Sequence, residues 1–329
     1  MKTVSVIIPT YKNRGGLIDS IESALSQNYD GLIEVIVVDD NDPRSTFRKH
    51  TEELMEQYKD NAKVKYIRHE VNKNGAAARN TGIRAAKGDL IAFLDDDDLF
   101  LDGKLSKQVA YLSSHPDMEA VYCHARRGYR IASTTVIEGD GSRDILLLQS
   151  NFFTPSLMFR RESLEAINGF DESFRRHQDY ELLLRFFAAG YKIGCVPEVL
   201  IEIGLNQGEN IPTGENVNQL KSYFFEKFQS FIDKENKRTP GFANKVYAKH
   251  YAGVFLNHLR HKHFLYAMQT FIKYFFKSPS TFIHVVGKSA IEHINDYDFQ
   301  FINILHASER CKHNRTKQCS VGCCSSEPM

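Results

Sequence analysis

The first hundred residues carry two hydrophobic patterns in alternation. Near-continuous apolar runs at Val4 to Ile8, Ile33 to Val38 and Leu90 to Leu94 have the length and branched content of buried strands, and Val64 to Arg68 reads as a short strand. Between them, Leu17, Ile18, Ile21, Ala24 and Leu25 recur at helical spacing, and Thr51 to Tyr58 and Ala76 to Ala86 read as helices. Strand alternating with helix, with the strands apolar throughout, predicts a mainly parallel sheet covered on both faces. Further on the pattern predicts strands at Ala120 to Cys123, Leu157 to Phe159 and Ile193 to Val196, the last stopped by Pro197. Helices are expected at Asp144 to Leu148 and Asp179 to Ala189, and a polar loop at Asn206 to Asn218. From Gln219 to Leu305 the pattern is helical, with breaks at Pro240-Gly241 and near Ser278-Pro279. These patterns predict an α/β domain over residues 1–215, a helical C-terminal extension over 216–306 and a disordered polar tail over 307–329.

Composition narrows the class. The chain has 329 residues, 42% of them hydrophobic and 25% charged, which excludes a wholly disordered protein. No apolar run approaches the roughly 18 residues that a spanning helix needs, and Val4 to Ile8 is too short for a signal-peptide core. The expectation is a cytoplasmic protein, with peripheral attachment to the inner face of the membrane left open. A net charge of +1 conceals an asymmetry: residues 236–291 hold nine Lys or Arg and no Asp or Glu, which leaves 33 basic against 41 acidic groups elsewhere. A segment without acids suits a face that meets anions. Its aromatics fit the core of a helical subdomain; with its cations they also fit a surface resting on anionic lipid. Cys123 and Cys195 sit among apolar residues and read as buried. Cys311, Cys319, Cys323 and Cys324 crowd the last twenty residues at spacings that match no zinc pattern.

Candidate chemistry gathers where ligands bind in parallel sheets, beyond the carboxyl ends of the strands. Pro9-Thr10-Tyr11, Asp39-Asp40 and Asp95-Asp96-Asp97-Asp98 each terminate a predicted strand. An isolated acidic run is ordinarily a solvated loop. At a strand end its carboxylates are crowded and repel, and an oxygen-seeking Mg²⁺ or Mn²⁺ relieves that while keeping coordination sites for phosphate oxygens. Asp39-Asp40 reads either as a turn or as an acceptor for the imide N–H of a uracil. Lys73 to Asn80 opens a helix with small residues, as close approach to a nucleotide requires, and is neither a GxGxxG nor a Walker loop. Asp179 begins a helical run, where an N-cap is the plain expectation.

Five ordered segments together resemble the family 2 nucleotide-diphospho-sugar glycosyltransferases of GT-A fold, over roughly residues 3 to 210. They are Val4 to Tyr11, Val37 to Asp40, Gly75 to Gly82 with Ala78-Arg79-Asn80, Phe93 to Asp98, and Asn168 to Glu172 followed by Gln178 to Leu182. The resemblance implies a metal-dependent inverting enzyme whose donor is a nucleotide sugar, a UDP-sugar by expectation, and whose acceptor is a glycan or polyprenyl-linked sugar in capsule, O-antigen or exopolysaccharide synthesis. It also implies residue roles. Pro9, Thr10 and Tyr11 frame the base, with Tyr11 stacking on it. Asp40 bonds the ring, Arg79 reaches base or phosphates, Asp95 and Asp96 lie along the donor, and Asp97 holds Mn²⁺ or Mg²⁺. Asp179 is the general base. Where the family has Glu-Asp, this chain has Gln178-Asp179, one charge fewer beside the base. His177 either contacts the acceptor or simply occupies its loop. A nucleotidyltransferase acting on sugar phosphates is the alternative, for which Pro9 to Arg14 is a poor phosphate loop. A nucleic-acid-binding protein would leave the acidic edge unexplained, so no nucleic acid partner is expected.

Overall fold

The structure, a computed structural model, describes residues 2–13, 15–128, 130–131, 135–150, 152–174, 176–204 and 213–289. The predicted tail with its four cysteines, residues 290–306 of the predicted extension, and part of the predicted loop lie outside these residues. The chain divides into two compact units, Met1–Ile211 and Pro212–Met329.

The first unit is built on a mixed sheet. Its strands are β1 (Val4–Thr10), β2 (Ile33–Asp39), β3 (Val64–Arg68), β4 (Leu90–Phe93), β5 (Leu99–Phe100), β6 (Ala120–Arg127), β7 (Arg130–Ile131), β8 (Met158–Arg160) and β9 (Ile193–Glu202). The order across the sheet is β3-β2-β1-β4-β8-β6-β9-β5, with β7 on β6. The first four are mutually parallel; β8 joins antiparallel to β4 and β6, β9 runs parallel to β6, and β5 pairs antiparallel with β9. Helices α1 (Leu17–Leu25), α2 (Thr46–Met55), α3 (Gly75–Ala85), α4 (Lys104–Ser114), α5 (Ser142–Leu146), α6 (Arg161–Ala166) and α7 (Gln178–Ala188) complete it.

Burial on both faces explains the unbroken apolar strands. Val4, Val6 and Ile8 share a core with Leu17, Ile21 and Ala24 of α1. Ile7 turns the other way, toward α3, where a Cβ on Gly82 would lie 2.3 Å from its Cγ2, so the helix seats directly on the strand. Each fully buried Leu or Ile here contributes about 1.5–3 kcal/mol. Phe93 meets Phe159 and Phe170 edge to face at 6.2 and 5.3 Å, coupling β4 to β8 and to the turn before α7.

Of the elements that depart from expectation, three show why. Helix α2 starts at Thr46, ahead of Thr51, because Ser45 accepts a hydrogen bond from Arg48 N and caps it. Helix α4, absent from the sequence-based expectation, buries Leu105, Val109 and Leu112. Strand β9 runs on through Pro197, because the ladder with β6 slips register between Cys123 and Ala125. A residue without N–H is tolerated at such a bulge. Cys123 and Cys195 are buried and free, as expected.

The second unit contains α8 (Glu215–Arg238), α9 (Phe242–Arg260) and α10 (Phe264–Tyr274). Residues 279–289 are also helical. The break at Pro240-Gly241 is present, with Gly241 at φ 87° before α9. A second break, at His261 to His263, was not anticipated. No described helix is long and apolar enough to cross a membrane.

Candidate active site

The chain builds β2 and β3 outward on one side of β1, then returns to lay β4 on the other. The crevice between the carboxyl ends of β1 and β4 is therefore a topological switch point, where ligands bind in such sheets. Register aligns the predicted residues along this edge: Thr10 stands beside Asp39, and Ile7 beside Phe93. Thr10 Oγ1 donates to Asp96 Oδ2 at 2.6 Å across the crevice.

The four consecutive aspartates point four ways. Asp95 pairs with Arg79 Nη2 at 2.6 Å. Asp96 accepts from Thr10, and its carbonyl accepts from Asn13 Nδ2 at 3.0 Å; burial outweighs these bonds and pushes its carboxyl up to about 6. Asp98 is buried and accepts from Gly204 N at 2.8 Å. Asp97 is half-buried, and its carboxyl is raised by burial first and then by the charge of Asp95. Asp95, Asp96 and Asp98 are thus each engaged by another part of the protein, and Asp97 is half-buried beside Gly204. The turn is wedged from two sides. Ser20 Oγ donates to the Asp98 carbonyl at 2.8 Å. A Cβ on Gly16 would lie 2.6 Å from Asp96 O, and one on Gly204 would lie 2.4 Å from Asp97 O.

Tyr11 is 48% exposed, with Lys12 Nζ 5.1 Å from its ring centroid. Pro9 is half-buried within β1. Asp40 is only 2% exposed, and both its oxygens are shared among protein donors: His69 Nδ1, Asn72 Nδ2, Lys73 N and Asn74 N, at 2.8–2.9 Å. It organises the 69–74 turn that leads into α3. Asp39 is fully buried in an ion pair with Arg48 at 2.9 Å and accepts from Tyr66 at 2.6 Å.

Arg79 links the two halves of the site. Besides Asp95, it donates through Nη1 to Gln178 Oε1 at 2.9 Å, lies 5.6 Å above the Phe170 ring, and keeps a buried Nε without a partner. Its neighbour Asn80 donates to Phe170 O and accepts from Phe170 N, both at 2.8 Å. Arg185 of α7 holds the Ile167 and Gly169 carbonyls while paired with buried Glu181. The Asn168-to-Glu172 segment is therefore a clamp between α3 and α7, and it fixes Gln178-Asp179 beside Arg79. Asn80, Arg185 and Gly16 were not among the expected site residues. Asn80 lay inside a recognised motif; only its contacts reveal the role.

Asp179 is the second residue of α7 and not its cap; His177, at φ 57°, occupies that position. Its Oδ1 accepts from Tyr180 N at 2.9 Å. Burial pushes its carboxyl up to about 6, against the lowering effects of that bond and of Arg79. Gln178 is neutral and also donates to Phe174 O at 2.8 Å, so it orients Arg79 without cancelling its charge. Gly75, Arg79, Thr154, His177 and Asp179 line an open cleft of ≈ 320 Å³. Among the described residues no three His, Cys, Asp or Glu side chains are grouped to hold a metal ion.

The glycosyl transferase family 2 model matches residues 5–183. WfaP of Escherichia coli, a UDP-Glc:alpha-D-GlcNAc-diphosphoundecaprenol beta-1,3-glucosyltransferase, is 35% identical over 198 residues, covering 58% of this chain and 73% of that protein. An uncharacterized glycosyltransferase of Haemophilus influenzae is 28% identical over 188 residues, 55% of this chain and 61% of that protein. Among solved structures, S. aureus TarS 1-349 in complex with UDP-GlcNAc superposes with a TM-score of 0.55 at 18% identity, covering 89% of this chain and 92% of that one. That likeness establishes the GT-A fold.

Proposed function

The chain belongs to glycosyl transferase family 2, and on that footing we propose that it moves the sugar of a UDP-linked donor to a hydroxyl of a glycan or polyprenyl-linked acceptor. Polysaccharide assembly at the cytoplasmic face is the setting that fits. A UDP-glucose donor in WfaP's name and UDP-GlcNAc bound to TarS support the nucleotide. WfaP's lipid-diphosphate acceptor supports the acceptor class.

The observation that carries the reading is Arg79 held at once by Asp95 and Gln178, at 2.6 and 2.9 Å. One cation thereby joins the acidic turn, where a diphosphate belongs, to the helix start that bears Asp179. In this reading Tyr11 stacks on the base. Asp40 reaches an imide N–H only by exchanging one of its four protein donors. Thr10 and Asp96 act by holding the turn in shape.

The donor set fits a divalent cation. Asp95 and Asp97 are oxygen ligands whose mutual repulsion a cation relieves, and few protein ligands leave coordination sites for phosphate and water. Asp97, with Asp95, would hold Mn²⁺ or Mg²⁺, which when bound offsets the charge of the departing diphosphate. Asp179 takes the proton of the acceptor hydroxyl as that oxygen attacks the anomeric carbon. The bond from that carbon to the diphosphate oxygen breaks with its electron pair, and a single displacement inverts the configuration. A base raised to about 6 is stronger than an ordinary aspartate and is still ionised at neutral pH.

The test is a panel of nucleotide sugars with Mn²⁺ and Mg²⁺ and a lipid-diphosphate GlcNAc acceptor, read by mass spectrometry. Free UDP with an extended acceptor is expected. Pyrophosphate release would instead mark a nucleotidyltransferase, and silence across the panel would remove the proposal.

A further inference from the structure

The second unit carries a surface unrelated to the crevice. Helix α10 turns only Ala267 and Thr270 fully inward, while Tyr274 stacks on Tyr251 of α9 at 3.5 Å. Phe271 packs on Phe255 and Phe282, but four other large apolar side chains of the helix point outward. Phe264, Leu265, Met268 and Ile272 are 65, 63, 56 and 61% exposed, and Phe276 just beyond the helix is 74% exposed. Phe264, Leu265, Met268 and Ile272 fall at i, i+1, i+4 and i+8, so they form one stripe along the helix. Scattered exposed apolar residues are ordinary, but a contiguous stripe on one helix marks an interaction surface.

Charge identifies the partner. Exposed Arg260 and Lys262 precede the stripe, and exposed Lys273 and Lys277 flank its far end. No Asp or Glu occurs anywhere in residues 236–291. A protein partner with mixed surface charge does not demand this total exclusion of acids; a uniformly anionic plane does. Apolar side chains bounded by cations, on a helix of 11 residues, match an interfacial helix that lies in a headgroup layer without crossing it.

We propose that α10 and the turn after it dock this protein on an anionic phospholipid bilayer, with the Phe264–Ile272 stripe entering the acyl boundary and Lys262, Lys273 and Lys277 meeting lipid phosphates. The surface stands on its own residues and does not depend on the transferase reading.

The experiment is co-sedimentation of the full chain with vesicles of equimolar phosphatidylglycerol and phosphatidylcholine, against phosphatidylcholine alone, at low and high salt. Binding to the anionic vesicles that weakens with salt is expected. Each lysine near the surface is worth about fivefold in affinity. Lys262→Ala with Lys273→Ala should therefore cost about 25-fold, and Leu265→Ser with Ile272→Ser should abolish binding. All four side chains are exposed, so thermal melts should coincide with the parent; were the apolar pair to misfold, the lysine pair still decides. Absence of the parent chain from the anionic pellet would overturn the proposal, as would equal, salt-insensitive binding to neutral vesicles. A dimer of the parent chain that Leu265→Ser with Ile272→Ser dissolves, seen by sedimentation velocity, would assign the stripe to a second copy and also overturn it.

Discussion

Burial and Arg79 pull the Asp179 carboxyl in opposite directions, and burial prevails. Because the reaction needs the carboxylate, activity should be near full by about pH 7, about half at pH 6, and fall tenfold per pH unit well below that. An aspartate at its ordinary value of 3.8 would leave the rate at pH 5 nearly intact, so the position of the acid limb of kcat/KM separates the two. Asp179→Asn keeps the shape and removes the base; transfer measured with radiolabelled sugar should fall by about 10²–10⁴-fold. UDP binding by calorimetry should survive that change. A near-normal rate in Asp179→Asn would move the base elsewhere.

Contacts between elements set the site's precision. The Asn168-to-Glu172 clamp depends on Asn80, whose carboxamide satisfies both the N–H and the carbonyl of Phe170. Asn80→Ala orphans these buried groups and should cost about 1–3 kcal/mol in denaturant unfolding. It should also lower kcat, since α7 carries Asp179. Gly16 is a steric case: a methyl there would sit 2.6 Å from one backbone atom of the aspartate turn and 2.9 Å from another. Backbone cannot swing aside as a flexible side chain can. Gly16→Ala should displace Asp97, and a shift of about 1 Å costs on the order of 10²-fold in kcat/KM. Unchanged kinetics would show that the turn tolerates the movement.

For the whole molecule, the proposed division of labour puts sugar transfer in the unit 1–211 and bilayer contact in α10 of the unit 212–329. Removing divalent cations with EDTA should abolish transfer, and Mn²⁺ or Mg²⁺ should restore it. Asp97→Ala should respond to neither addition, with donor binding lost in the same calorimetric titration. Persistent turnover in EDTA would remove the cation from the reaction. The strands β1 to β4 and the helices between them were legible in the chain, because each is a local run whose apolar period reports burial directly. So was the edge that carries the candidate site, since carboxylates at parallel strand ends share an edge whatever the remaining topology. The antiparallel half was less legible: β8 is three residues long, and β9 absorbs a proline through a register slip that only its partner β6 reveals. The acidic run shows the limit most clearly. Its four residues are chemically identical in sequence, and their surroundings diverge because their partners come from different elements: Arg79 for Asp95, Thr10 for Asp96 and Gly204 for Asp98, with Asp97 half-buried beside them. Sequence alone determined that an acidic edge exists; tertiary packing decided which partner each carboxylate meets, since contacts between residues 16, 86 and 106 positions apart leave no periodic trace.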